Sequence, residues 1–268
     1  MRLWTAAFAA HVRQRRDTSA VITAGVDLAA EAAGTAVALM AWDPSSARVT
    51  SVTVGGQDAH VLEAARVADK VGVDCPFGWP SAFVRLVRDH QSAQLFAPPS
   101  SGREWRRGLT VRATDEHVHR VTGLTPLSVS ADRIAHAALR WTAIAASAAA
   151  EGLDASRDGS GLMAEVYPAA ALRLWGLPHR GYKGPANRAA REELVDLLVA
   201  DAPWLQLGEF EDLCRTSDHA LDAVLCALVA RAVACGGTEP AGRHQPEAVQ
   251  EGWIHLPTVP LEVLIRSP

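Results

Sequence analysis

The sequence predicts an α/β fold built on a mixed β-sheet, and three observations carry that prediction. Three apolar, β-rich runs follow one another between residues 20 and 54 with only short breaks. A stretch with helical spacing, 57–70, then leads into a fourth short apolar run, 71–76. Further helical segments recur downstream, so strands and helices interleave instead of segregating.

Residues 20–28 form the first strand, which residues 31–34 interrupt. Residues 35–42 form the second, ended by Asp43-Pro44-Ser45-Ser46, a type I turn sequence. Residues 48–54 set Val49, Val52 and Val54 among polar residues and stop at Gly55-Gly56. In 57–70, Val61, Leu62, Ala65 and Ala68 share one side of a helix. Val71-Gly72-Val73-Asp74-Cys75-Pro76 is the fourth strand. Two short loops make the first three strands an antiparallel meander, and the helix-length crossover makes the fourth parallel to its neighbour. That neighbour is strand three or strand one. The second choice would set Asp27 and Asp74, each ending a Gly-Val-Asp tripeptide, at equivalent places on adjacent parallel strands. Those places are C-terminal strand ends, where α/β folds bind ligands.

Residues 77–160 read as a mostly helical insertion. It comprises a helix at 79–90, a Pro/Ser/Gly/Arg loop at 97–112 and a long helix at 131–151. The long helix takes Ser130 as its cap, Ile134, Ala138, Trp141 and Ala145 as its buried stripe, and Gly152 as its stop. Residues 161–167 are a strand carrying Glu165, and Pro168 opens a short helix that Gly176 closes. Helices follow at 187–200 and 218–235, the second capped by Ser217 and stopped by Gly236-Gly237. Residues 251–254 form a last ordered segment. The whole chain, 1–268, reads as a single domain.

Composition narrows the classes. Of the 49% hydrophobic residues, 50 are alanine; about 30% large apolar side chains remain, enough for a core and too many for a disordered chain. With 26 basic and 30 acidic residues the charge is −4, so a nucleic-acid partner requires a local basic patch. Cys75, Cys214, Cys226 and Cys235 lack zinc-knuckle or redox spacing and read as reduced core residues of a cytoplasmic protein. Arg140, Asp222 and Arg231 interrupt every apolar run that approaches bilayer length, so no membrane partner is expected. Residues 3–12 are apolar, but Arg13, Arg15 and Arg16 follow that stretch, the reverse of a secretory signal; it reads as a surface helix.

Four carboxylates occupy places where carboxylates are costly. Asp27 and Asp74 end apolar strands, Glu165 lies in a third, and Asp222 sits one turn inside a buried helix, i+4 from Asp218. Singly, each has an ordinary reading: a turn or cap residue at a strand end, a dipole partner at Asp218, an arginine partner for Glu165. Jointly they repel in a low-dielectric site, and a divalent Mg²⁺ or Mn²⁺ ion with all-oxygen ligands resolves that conflict.

The motifs Gly25-Val26-Asp27, Val73-Asp74-Cys75-Pro76-Phe77-Gly78, Arg112-Ala113-Thr114-Asp115, Glu165-Val166-Tyr167-Pro168-Ala169, Asp218-His219-Ala220-Leu221-Asp222-Ala223 and Glu251-Gly252-Trp253-Ile254 occur in that order. Across residues 20–257 they resemble the predicted nucleases of ribonuclease H-like fold grouped as domain of unknown function 429. The resemblance implies a five-stranded mixed sheet of order 3-2-1-4-5, with strand 2 antiparallel and helices on its flanks. It also implies that Asp27, Asp74, Glu165 and Asp222 are catalytic and bind metal in one cleft, with Asp218 as a further ligand.

The chemistry expected of such a site is two-metal phosphodiester hydrolysis, one ion generating hydroxide and the other stabilising the leaving oxygen. The densest basic stretch holds Arg103, Arg106, Arg107, Arg112 and Arg120 with His117 and His119, and Trp105 could stack on a base. Arg106, Arg107 and Arg112 are the expected phosphate contacts, together with Lys183 in Gly181-Tyr182-Lys183-Gly184. A solvated loop, an Arg112–Asp115 ion pair and a surface lysine are the competing readings. Against the nuclease stand a non-catalytic nucleic-acid-binding scaffold, a phosphotransferase and a small-phosphoester hydrolase. Intact acids argue against the scaffold, and the lack of a Walker glycine loop argues against the phosphotransferase.

Overall fold

The computed structural model describes residues 20–94, 97–98 and 100–266; the surface helix expected at 3–12 lies outside them. Strands β1 (Val21–Asp27), β2 (Ala36–Trp42) and β3 (Ala47–Val54) form the antiparallel meander. The β2–β3 turn is closed by the Asp43 N–H donating to the Ser46 carbonyl at 2.8 Å. Helix α1 (Asp58–Val67) then crosses over, and β4 (Lys70–Asp74) returns parallel to β1, not to β3. β5 (Met163–Glu165) adds in parallel beside β4.

The sheet order is β5-β4-β1-β2-β3-β6. The expected five-strand order is therefore extended by a sixth strand, β6 (Leu205–Gln206), parallel to β3. Two residues are too few to show alternation. β6 is recruited by tertiary contact, through the Ala47 N–H bonded to the Trp204 carbonyl at 2.9 Å.

Alternation along β1 decides what each face of the sheet carries. Ile22, Ala24 and Val26 pack with Val61 and Ala64 of α1 and with Trp141 and Ile144 of α5 (Ile134–Ala150). The intervening Thr23, Gly25 and Asp27 therefore face the other side. There lies α9 (Asp218–Ala234), apolar nearly all round and buried between the sheet and flanking elements. Ser217 caps α9 as expected, its hydroxyl accepting from the Ala220 N–H at 3.2 Å.

The insertion is helical, comprising α2 (Ser81–Gln91), α3 (Arg103–Thr110), α4 (Ala113–Thr122) and α5. Two expectations are corrected. The loop expected at 97–112 contains α3, because the run from Arg103 to Arg107 consists largely of good helix formers whatever its flanks. Helix α5 begins at Ile134, not beside Ser130, whose hydroxyl is buried without a hydrogen-bond partner. Asp132 organises that turn instead, accepting from the Ser128 N–H at 2.8 Å. Downstream lie α6 (Pro168–Leu174), α7 (Arg188–Asp201), α8 (Glu211–Thr216) and α10 (Gln245–Glu251). The closing segment is ordered, with Ile254 bridged to Glu165. Among the described residues no helix is long and apolar enough to cross a membrane.

Candidate active site

Glycines place the acids. Gly25 and Gly72 are register partners on β1 and β4, and Asp27 and Asp74 are partners two residues further on. A period of two sets each glycine on the same face as its aspartate. A Cβ at Gly25 would collide with backbone atoms of Ala223, Cys226 and Ala227, and one at Gly72 with the Cys226 carbonyl. Only glycine admits the α9 backbone so close to the sheet. Thr23 fastens the same contact, its hydroxyl donating to the Ala227 carbonyl at 3.0 Å. Asp222, next to Ala223, is thereby brought over the C-terminal ends of β1 and β4.

One carboxylate oxygen each from Asp27, Asp74 and Asp222 lies within 4.8 Å of the others. Asp222 is buried, while Asp27 and Asp74 are partly exposed. Burial pushes the Asp74 carboxyl well above the usual range; Lys183 opposes this and the neighbouring carboxylates add to it. Burial likewise pushes Asp222 up to about 6 against the pull of Lys183. The adjacent thiols are driven up by burial and by nearby carboxylates, Glu165 and Asp74 for Cys75 and the aspartate trio for Cys226, so they stay neutral.

The Gly181–Gly184 loop is read out by α9. Lys183 Nζ lies 2.6 Å from Asp222 Oδ2, and the Tyr182 hydroxyl donates to Asp222 Oδ1 at 2.8 Å. The Gly184 N–H donates to Asp218 Oδ2 at 2.9 Å. Buried Arg191 clamps the loop from behind, donating to the carbonyls of Tyr182 at 2.7 Å and Gly184 at 3.2 Å. Burial disfavours the Lys183 ammonium, but Asp222 and Asp74 hold its pKa above the ordinary value. Asp218 is thus a loop anchor outside the convergent trio. Burial acts to raise its carboxyl, and the bonds from the Gly184 and Asp218 N–H groups together with the His219 and Arg191 charges keep it below the usual range. His219 sits half exposed with Nδ1 2.7 Å from Asp27 Oδ2, and that bond raises its pKa against burial.

Glu165 departs from the expectation. Its register partner on β4 is Val73, not Asp74, so the pleat sends its side chain to the opposite face. There Arg112 grips both oxygens, at 2.7 and 2.9 Å, and the Phe77 N–H donates to Oε2 at 2.9 Å. Arg112 also holds Asp115 at 2.9 Å and is 1% exposed. It is a buried structural pair, not a surface phosphate contact. The rest of the basic stretch divides in the same way. His117 is buried against Glu239, whereas Arg103, Arg106 and Arg107 are exposed along α3, Arg107 pairing with Glu116 at 3.2 Å.

Sequence reasoning missed the Lys183–Asp222 and His219–Asp27 pairs and the Arg191 clamp. One signal was available for the first: Lys183 is one of only two lysines in the chain, and glycines flank its dipeptide.

Fold and site define a class: an α/β protein with a mixed sheet and an acidic trio over the C-terminal ends of its central parallel strands. The chain belongs to the family described as protein of unknown function (DUF429), whose model matches residues 25–247 and so spans every residue of the trio. No curated protein and no solved structure matches the chain significantly.

Proposed function

We propose that the chain is a divalent-metal-dependent phosphodiesterase, a nuclease of ribonuclease H-like type. The observation that carries this reading is the pairing of Asp27 with Asp74 across adjacent parallel strands, with Asp222 brought over both. Three convergent carboxylates, with the nearby thiols held neutral, suit a hard cation. Asp27, Asp74 and Asp222 would hold Mg²⁺ or Mn²⁺; such an ion, when bound, supplies an activated water and neutralises charge on a phosphoryl oxygen. His219 orients Asp27 through Nδ1, and Tyr182 and Lys183 orient Asp222. The exposed arginines of α3 are the local patch through which DNA or RNA would be held. Glu165 and Arg112 support the site from the other face by fixing the Phe77 segment that follows Asp74.

The test is a substrate panel of single-stranded, duplex, hybrid and branched nucleic acids with small phosphoesters, each with Mg²⁺ and Mn²⁺, using wild type and Asp74→Asn. Metal-dependent cleavage of a polynucleotide, lost in Asp74→Asn, is expected. Failure on every substrate by protein that binds Mn²⁺ would overturn the hydrolase reading. Cleavage of small phosphoesters alone would overturn the nuclease.

A further inference from the structure

We propose that Lys183 is the resident second cation of the acidic site, so that the site takes one divalent ion where two were expected; this rests on the metal-site reading above. The ammonium lies 2.6 Å from Asp222 Oδ2, and its place is built, not incidental. The residue before it is fixed by its hydroxyl on Asp222 Oδ1, and the residue after it by its N–H on Asp218. Arg191, 1% exposed, binds the carbonyls of both and ties them to those of Arg215 and Thr216 at the foot of α9. None of these bonds uses the Lys183 side chain, so the loop delivers the ammonium to the trio whatever the ammonium itself contacts.

Charge and ligand supply agree with this assignment. Ionised as metal ligands, Asp27, Asp74 and Asp222 would contribute three negative charges against the one positive of Lys183, a balance that one divalent ion neutralises and two would overshoot. The fourth acid is not at hand, since Glu165 lies on the opposite face with both oxygens on Arg112. Both oxygens of Asp222 are engaged, and one oxygen of Asp27 is held by His219. That leaves one oxygen of Asp27 and the carboxylate of Asp74 as the trio's oxygens without such a contact, with Asp222 sharing an oxygen between its present partner and the ion, a set for a single ion. The half-exposed ammonium would then supply the charge with which a second ion neutralises a phosphoryl oxygen.

The test counts ions, not turnovers. Mn²⁺ binding to the full-length protein would be measured by calorimetry and by paramagnetic resonance for wild type, Lys183→Met and Lys183→Arg. Wild type and Lys183→Arg should bind one Mn²⁺ per chain with similar affinity. Lys183→Met, which removes the charge and keeps the stem, should bind Mn²⁺ about tenfold more tightly. Two ions in wild type would overturn the inference and leave the metal site standing. An unchanged or weakened affinity in Lys183→Met would also overturn it. No Mn²⁺ bound by wild type would remove the metal site itself, and this proposal with it.

Discussion

Gly25→Ala isolates the contact that sets the geometry of the site. A Cβ there would fall inside 3.0 Å of the Ala223 carbonyl oxygen, the Ala227 nitrogen and the Cys226 carbonyl carbon, all backbone atoms of α9. Helix backbone has no rotamer with which to yield, so α9 must leave the sheet by about 1 Å to restore ordinary contact. Such overpacking costs about 3 kcal/mol. In a chain of this size that lowers Tm by roughly 6–10 °C. The same movement draws Asp222 away from Asp27 and Asp74, so stabilisation by Mn²⁺ should shrink as well. Urea denaturation followed by circular dichroism, at constant slope, measures the first effect, and melts across a Mn²⁺ series measure the second. Gly108→Ala is the control. It lies within α3 with nothing within 4 Å of its would-be Cβ, and should stabilise by up to about 1 kcal/mol. A Gly25→Ala protein within about 0.5 kcal/mol of wild type would refute the close helix–sheet approach.

Arg112→Met should cost about 3–5 kcal/mol, because it strands Glu165 and Asp115 as buried charges. Adding Glu165→Gln should recover part of that loss, and purely additive urea midpoints would sink the buried-pair account. Asp74 is pushed up by burial and by Asp27 and Asp222, so its ionisation opposes folding; the penalty is absent below the ordinary carboxylate range and grows as pH rises towards the raised folded value. Asp74→Asn should therefore equal or exceed wild-type stability at pH 7 without metal. It should also lose the Mn²⁺ stabilisation of wild type, about 2.7 kcal/mol at a hundredfold excess over Kd; metal-insensitive melts of both proteins would remove the site. His255 is pushed down to about 4 by burial, against its bond to the Asp158 carbonyl. Its folded pKa is depressed, so the unfolded chain takes up the proton first. Stability is full above about pH 6.5 and falls by up to about 3 kcal/mol as pH drops towards 4. His255→Gln should flatten that fall in urea midpoints measured at pH 7 and 4.5, and parallel profiles would count against it. Arg103→Ala with Arg106→Ala should weaken oligonucleotide binding and flatten its salt dependence; an unchanged slope returns α3 to an ordinary solvated helix.

Much of the central architecture was legible in the residues because it is locally encoded. Turn chemistry at Asp43–Ser46, the change to helical spacing after Gly56 and the cap at Ser217 each act within a few residues. The repeated Gly-Val-Asp carried more than its length suggests. Its glycines admit α9 and its aspartates meet across β1 and β4, both through the two-residue period of a strand. Tertiary structure alone decided which acids share a face. Glu165 is one register step from joining the trio, and that step depends on how β5 docks on β4 across the long insertion. Its arginine lies 53 residues away in the chain, and the lysine of Asp222 lies 39 away. β6 was invisible for the same reason, since two residues bear no pattern and only the Trp204 carbonyl at the sheet edge enlists them. Periodicity and caps are short-range, written in neighbouring residues, whereas charge pairing and strand register are settled only when distant segments meet and exclude water together.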